Sequence, residues 1–167
     1  MSELRLYLDN DVFSAMLAKN EPDMTEVENA AIIRIRSIAA RGELMLFTSE
    51  VHKREIDKVP ERHRAPYQSA LAALPQVEFV EDHTLLGFNT VGDYRGGFIT
   101  HPLIEDDPIA RVLWGLGVER RDAHHLMIAI LNCCDVFLTC DGGILARRDT
   151  IQPKFPIRIA KPSEFAP

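Results

Sequence analysis

Two aspartates stand directly after short apolar runs that are typical of buried strands. Asp9 follows residues 4–8 (LRLYL), and Asp141 follows residues 136–140 (VFLTC). In an open parallel sheet the carboxyl ends of the strands share one edge, where ligands bind. Both carboxylates are therefore predicted to reach this edge. Asp122 begins the helix before the second run, and because that helix runs opposite to the strands, it is expected to start at the same edge.

Glu55 is the fourth acidic candidate. It lies on the helix predicted after the second strand, about 9 Å beyond Ser49 along the helix axis. Four clustered carboxylates repel one another and raise each other's pKa unless a cation is bound. Mg²⁺ or Mn²⁺ takes oxygen ligands and keeps several waters, which leaves room for a phosphate. This chemistry suits metal-dependent hydrolysis of a phosphodiester bond.

Each of these residues also has an ordinary structural interpretation. An Asp after a strand often serves a turn, as Asp9 can, and Asp141 precedes the turn-forming pair Gly142-Gly143. Asp122 can cap its helix, and Glu55 can face solvent. Convergence on one edge is what favours a site. The other acidic residues in similar settings are assigned to such ordinary roles: Asp11, Asp135 and Asp149.

Hydrophobic periodicity predicts strands that alternate with helices, which indicates a parallel α/β sheet flanked by helices. The predicted strands are 4–8, 43–48, 77–80, 136–140 and 157–160. The predicted helices are 11–19, 25–41, 49–59, 64–74, 108–115, one beginning near 121, and 144–148. Residues 1–167 are expected to form a single domain, with a glycine-rich loop or insertion at about 82–103.

Composition sets the broad class. The chain has 167 residues, of which 46% are hydrophobic and 26% charged, so an ordinary core can form. Its formal net charge of −6 excludes a global basic coat for nucleic acid. Three cysteines cannot build a disulfide framework, which favours a reducing cytoplasm. Neither a signal peptide nor an apolar run of the roughly 18 residues that span a membrane is recognised, so no membrane association is expected.

Four short motifs resemble the PIN domain, a nuclease fold that includes the toxin ribonucleases of bacterial toxin–antitoxin pairs. They are LYLDND, FTSEVHKREI, RDAHHLMIAI and FLTCD, and the resemblance runs over nearly the whole chain. It implies a three-layer α/β/α sandwich around a parallel sheet and cleavage of RNA with Mg²⁺ or Mn²⁺. An antitoxin protein and a homodimer are partners that the family suggests.

The resemblance also assigns roles to individual positions. The family's four acidic ligands match Asp9, Glu55, Asp122 and Asp141, and its supporting polar residues match Asn10 and Thr139. Glu50 competes with Glu55, but it follows the second strand too closely. Two departures stand out. Gly142, Gly143 and Ile144 replace a further acidic residue found in many members, which weakens a second metal site. The segment 87–97 is also longer than in compact toxins.

Basic residues near the acidic edge are candidates for contact with RNA phosphates. Arg121 precedes Asp122, and Arg95 lies in the glycine-rich segment. The neighbouring pair His124-His125 is interpreted as buried or hydrogen-bonded histidine, because consecutive helical residues point in different directions. The three cysteines are interpreted as small apolar residues rather than zinc ligands.

Two other functions stay open. A haloacid-dehalogenase-like phosphatase also begins with a strand that runs into D-x-D, as Asp9-Asn10-Asp11 does, and Asp9 would then be a nucleophile. That class expects Gly-Thr-type residues next, where Val12-Phe13 stands, and a lysine before the last acidic motif. The second alternative is a catalytically silent PIN-like module that binds RNA or protein.

Overall fold

The computed structural model describes residues 4–17, 24–49, 60–62, 64–65, 68, 77–80 and 107–165. The strands are β1 (Leu4–Leu8), β2 (Leu44–Ser49), β3 (Val77–Val80), β4 (Val136–Leu138) and β5 (Arg158–Ala160). The helices are α1 (Asn10–Leu17), α2 (Glu26–Ala40), α3 (Pro108–Gly115), α4 (Arg120–Leu131), α5 (Gly142–Leu145) and α6 (Arg148–Ile151), followed by a 3-10 turn at Pro162–Glu164.

The five strands form one parallel sheet in the order β3-β2-β1-β4-β5. Strand β1 is central, and its residue Tyr7 is paired with Phe47 on one side and with Phe137 on the other. The predicted parallel α/β sheet is therefore confirmed. A central β1 places the residue that follows it, Asp9, in the middle of the carboxyl edge.

Alternation along the strands divides the core into two halves. Leu6 and Leu8 point to the face covered by α1 and α2, where they pack with residues such as Ile35. Tyr7 and Phe137 point to the opposite face, where α3 and α4 lie. Both halves are mainly apolar over the middle of the sheet, and the acidic residues lie at its carboxyl end.

Helix ends follow the signals in the sequence. The Thr25 hydroxyl accepts a hydrogen bond from the Glu28 backbone N–H at 3.3 Å and caps α2. Gly42, at φ +73°, ends that helix in the left-handed conformation that glycine favours. Asp107 caps α3 through the N–H groups of Ile109 and Ala110.

Strand β4 ends at Leu138, two residues earlier than the sequence predicts. The backbone N–H of Cys140 donates to Asp11 Oδ2 at 2.7 Å, and that of Asp141 donates to Thr139 Oγ1 at 2.9 Å. Side chains thus take the hydrogen bonds that a longer strand would give to its neighbour. This early end is what opens the carboxyl edge.

Helix α4 is buried over more of its surface than one apolar stripe would cover. The helical spacing of its apolar residues predicts a single buried face that includes Leu126, Met127 and Leu131, but His125, Ile128 and Ala129 are buried as well and Leu131 is exposed. Helix α4 packs on both the sheet and α3, so two sides of it are covered. No helix among the described residues has the length and apolar character needed to cross a membrane.

Several predictions lie outside the described residues. They are the helix at 49–59 beyond Ser49, most of the helix at 64–74, and the glycine-rich segment at 82–103. Residues 61, 62, 64, 65 and 68 are helical. The last predicted short helix is instead two pieces, α5 and α6, because Asp141 caps a turn that starts two residues earlier than expected.

Candidate acidic site at the carboxyl edge of the sheet

Asp9 is the buried centre of the site. It lies one residue beyond β1, and its backbone N–H donates to Leu138 O at 3.0 Å, which ties it to β4. Its side chain is 5% exposed. Carboxylate Oδ1 accepts from the Asn10 backbone N–H at 2.8 Å, and Oδ2 accepts from the Thr139 hydroxyl at 2.6 Å. Two directed hydrogen bonds therefore fix the orientation of a carboxylate that is almost out of contact with solvent.

Thr139 connects two acidic residues. Its hydroxyl donates to Asp9 and accepts from the Asp141 backbone N–H, so one side chain sets the position of both. The supporting role predicted for Thr139 is thus matched by a direct contact with Asp9. For Asn10, the contact with Asp9 is made by its backbone N–H.

Asp141 has a structural role as well as a place in the cluster. Its Oδ1 accepts from the Ile144 backbone N–H at 2.9 Å and caps α5, the ordinary role considered from the sequence. A Cβ at Gly143 would lie 3.0 Å from this oxygen, so a larger residue there would press on the capping carboxylate. Asp141 is exposed, and its charge raises the pKa values of Asp11 and Asp122.

Asp122 lies in the first turn of α4 at the same edge. The N-cap of α4 is Glu119, so the alternative that Asp122 caps this helix is wrong. Burial and then the neighbouring charge of Asp141 raise the pKa of Asp122, while Arg121 lowers it. Its charge also contributes to raising the pKa of Asp9. The structure therefore brings three of the four predicted carboxylates within electrostatic reach.

Asp11 belongs to the same cluster, which the sequence analysis missed. Its Oδ2 accepts from the Cys140 backbone N–H, and its Oδ1 accepts from Val12 N–H at 2.7 Å. Burial raises its pKa, and after burial its charge is the largest cause of the raised pKa of Asp9. The spacing Asp9-x-Asp11 was the available signal. A turn of helix brings position 11 back toward the strand ends.

The acidic side chains at this edge are not balanced by enough positive charge or hydrogen bonding to keep their pKa values at the ordinary level. Burial, with the charges of Asp11 and Asp122 added, raises the pKa of Asp9 to about 7, although hydrogen bonds from Thr139 and Asn10 oppose the rise. The pKa values of Asp11 and Asp122 are raised for the same two reasons, burial and like charge. A cation bound among these oxygens would reverse the repulsion.

The oxygen donors match the preference of Mg²⁺ or Mn²⁺, because they are carboxylates and hydroxyls on rigid backbone. Within the part of the chain that the structure describes, no three His, Cys, Asp or Glu side chains are grouped closely enough to hold a metal ion by themselves. Glu55, its competitor Glu50 and Arg95 lie outside the described residues. The donor chemistry and charge thus fit a divalent cation, and completing its coordination is the role that the resemblance gives to Glu55.

The two histidines of α4 have different environments. His125 is buried, and its Nδ1 lies 2.9 Å from the hydroxyl of Tyr7, which stacks on Phe137 at a centroid distance of 5.4 Å. His124 is half-buried. The interpretation of buried, hydrogen-bonded histidine is confirmed for His125. Its contact joins α4 to β1 two residues before Asp9.

Arg121 is exposed beside Asp122, where an approaching phosphate can meet it. All three cysteines are free thiols. Cys134 is buried and Cys140 half-buried, and burial raises the pKa of each to about 12. These two behave as the apolar residues predicted, whereas Cys133 is exposed.

Comparisons of the chain with models of protein families, with curated proteins and with solved structures find no match.

Proposed function

We propose that this protein is a divalent-metal-dependent endoribonuclease with a PIN-like three-layer α/β/α architecture. The observation that supports it most is the meeting of Asp9, Asp11, Asp122 and Asp141 at the carboxyl edge of the central strands. Helices on both faces of the sheet agree with the proposed layers. The resemblance of the sequence motifs supplies the link from an acidic edge to RNA.

The proposed chemistry divides the work among these residues. When bound, Mg²⁺ or Mn²⁺ would neutralise the carboxylates and act as a Lewis acid toward a phosphodiester and a water. Thr139 and the Asn10 N–H hold the Asp9 carboxylate in one orientation. The Cys140 N–H holds Asp11. Arg121 is placed to contact a phosphate of the RNA backbone.

The phosphatase alternative asks Asp9 to attack a phosphorus atom. Both of its oxygens accept hydrogen bonds, and a pKa raised to about 7 leaves much of it protonated near neutral pH. Each feature weakens a nucleophile. Val12-Phe13, in place of the Gly-Thr-type residues of that class, also counts against the phosphatase alternative.

We further propose a reducing cytoplasm as the setting, because the three cysteines are free thiols. An antitoxin and a homodimer remain predictions from the resemblance alone.

A cleavage assay with a labelled single-stranded RNA tests the proposal. The wild type should cleave with Mn²⁺ and not with a chelator. Asp9→Asn and Glu55→Gln should each lower the rate by on the order of 10²-fold or more, because each removes a charge that the cation needs. Asp149→Asn, which changes an exposed aspartate of α6, and Glu50→Gln are the matched controls and should cleave normally. A wild type that binds Mn²⁺ but leaves RNA intact would favour the silent module instead.

A further inference from the structure

Ser49 carries a buried hydroxyl that has no hydrogen-bond partner among the residues that the structure describes. The residue is completely buried, and its Oγ makes no hydrogen bond to any described residue. A hydroxyl removed from water without a partner destabilises the fold, and such groups are rare in native proteins. The buried hydroxyl of Ser49 therefore requires an explanation.

The register of the sheet places Ser49 beside the acidic site. Tyr7 is paired with Phe47 and with Phe137 across the three central strands. Extended by two residues, this register sets Asp9 between Ser49 and Thr139, and the Asp9 N–H bond to Leu138 O agrees with that extension. Side chains two apart in a strand share a face. All three therefore project to the face of Tyr7, which is also the face where α4 presents Asp122.

The two hydroxyls that flank Asp9 differ in their bonding. The Thr139 hydroxyl donates to Asp9 and accepts from the Asp141 backbone N–H. Ser49 makes neither kind of contact with the residues that the structure describes. Its hydroxyl therefore keeps its hydrogen-bonding capacity for a group brought into the site from outside.

We propose that Ser49 is a positioning residue of the cation site, whose hydroxyl forms a hydrogen bond with the hydration shell of a divalent cation held by Asp9 and its neighbouring carboxylates. The inference rests on the proposed function. Hydrated Mg²⁺ and Mn²⁺ keep several waters in protein sites, and those waters need partners. Outer partners of this kind commonly change metal affinity by about 10- to 100-fold when they are lost.

Ser49→Ala separates this role from a purely structural one, because two readouts should move in opposite directions. With chelator, the variant should melt about 2–4 °C above the wild type, because an unsatisfied polar group has been removed. Its Mn²⁺ affinity, from a titration of melting temperature, should fall about tenfold. A hydroxyl with only a structural role would give a lower melting temperature in chelator and an unchanged affinity.

Ser163→Ala is the matched control. The Ser163 hydroxyl donates to Glu28, so its removal should lower the melting temperature in chelator without changing Mn²⁺ affinity. Equal Mn²⁺ affinities in the wild type and Ser49→Ala would overturn the role of Ser49 and leave the proposed function intact. A wild type whose melting temperature does not respond to millimolar Mn²⁺ or Mg²⁺ would overturn both.

Discussion

Charged side chains have opposite surroundings at the two ends of the central strands. At the amino end, Arg5 of β1 lies over the Phe47 ring at 4.3 Å and donates to Asn132 O at 3.0 Å, while its backbone N–H donates to Asp135. The guanidinium there is held by an aromatic ring and by a carbonyl at the end of α4, and Asp135 accepts the backbone N–H, although Arg5 Nε has no hydrogen-bond partner among the described residues. At the carboxyl end, Asp9, Asp11, Asp122 and Asp141 are linked by like-charge repulsion, and the pKa values of Asp9, Asp11 and Asp122 are raised.

This contrast distinguishes residues whose interactions stabilise the folded state from residues whose interactions destabilise it. Neighbouring opposite charges and filled hydrogen bonds stabilise a structure, whereas gathered like charges destabilise it until a ligand arrives. Strongly shifted carboxylates in one place are typical of functional sites. The same strands therefore carry a structural end and a candidate binding end, and substitutions at the two ends should behave differently.

The largest effect is expected from Asp9→Asn in the absence of metal. The unfolded chain releases this proton near the ordinary pKa of 3.8, but the folded chain holds it up to about 7. The folded state thus binds more protons in this window, and its stability falls as pH rises from about 4 to 7. The variant should lose this fall, of which the part between pH 5 and pH 8 amounts to on the order of 3 kcal/mol. Urea unfolding at pH 5 and pH 8 with chelator measures it.

Asp149→Asn serves as the control for that comparison, because this aspartate is exposed on α6. Its stability should follow the wild-type pH dependence. The assignment of a raised Asp9 pKa fails if Asp9→Asn and the wild type lose equal stability between pH 5 and pH 8. Saturating Mn²⁺ should reduce the fall in the wild type, because a bound cation favours the ionised carboxylates.

Arg5→Met changes the amino end of the central strands, and it should lower stability by an amount that does not depend on pH. Methionine keeps an apolar chain over Phe47 but removes the charge and the hydrogen bond to Asn132. The expected loss is about 2 kcal/mol. It should be similar at pH 5 and pH 8, and the Mn²⁺-induced rise in melting temperature should stay at its wild-type size. A weakened Mn²⁺ response would show that the two ends are coupled.

The sequence was most informative where local chemistry decides the structure. The helices predicted at 25–41 and 108–115 are present, with Thr25, Gly42 and Asp107 at their ends, and the five apolar runs form five parallel strands. The positions of Asp9, Asp122 and Asp141 follow from topology alone, because parallel strands and an antiparallel returning helix must meet at one edge.

Features that depend on long-range contact were not predictable in the same way. From the sequence, Asp11 is an ordinary acidic residue near the start of a helix. Its place in the cluster is shown by the hydrogen bond that it accepts from the Cys140 N–H, 129 positions away. The early end of β4 has the same cause. That Ser49 has no partner among the described residues is likewise seen only in the folded structure, since its neighbours along the chain do not indicate it.

The smallest effect concerns the turn from α4 into β4 at the amino end. Cys133 has φ +53°, while its N–H donates to Ile130 O and the N–H of Cys134 donates to Ala129 O. This Schellman arrangement favours glycine, because a Cβ in the left-handed region is unfavourable. Cys133→Gly should therefore raise the free energy of unfolding by about 1 kcal/mol, measured by urea unfolding, with no change in Mn²⁺ affinity. Cys133→Ala removes the same exposed thiol but keeps the Cβ, so it should give no gain. Equal stability of the two variants would mean that the backbone conformation at 133 is not what limits this turn.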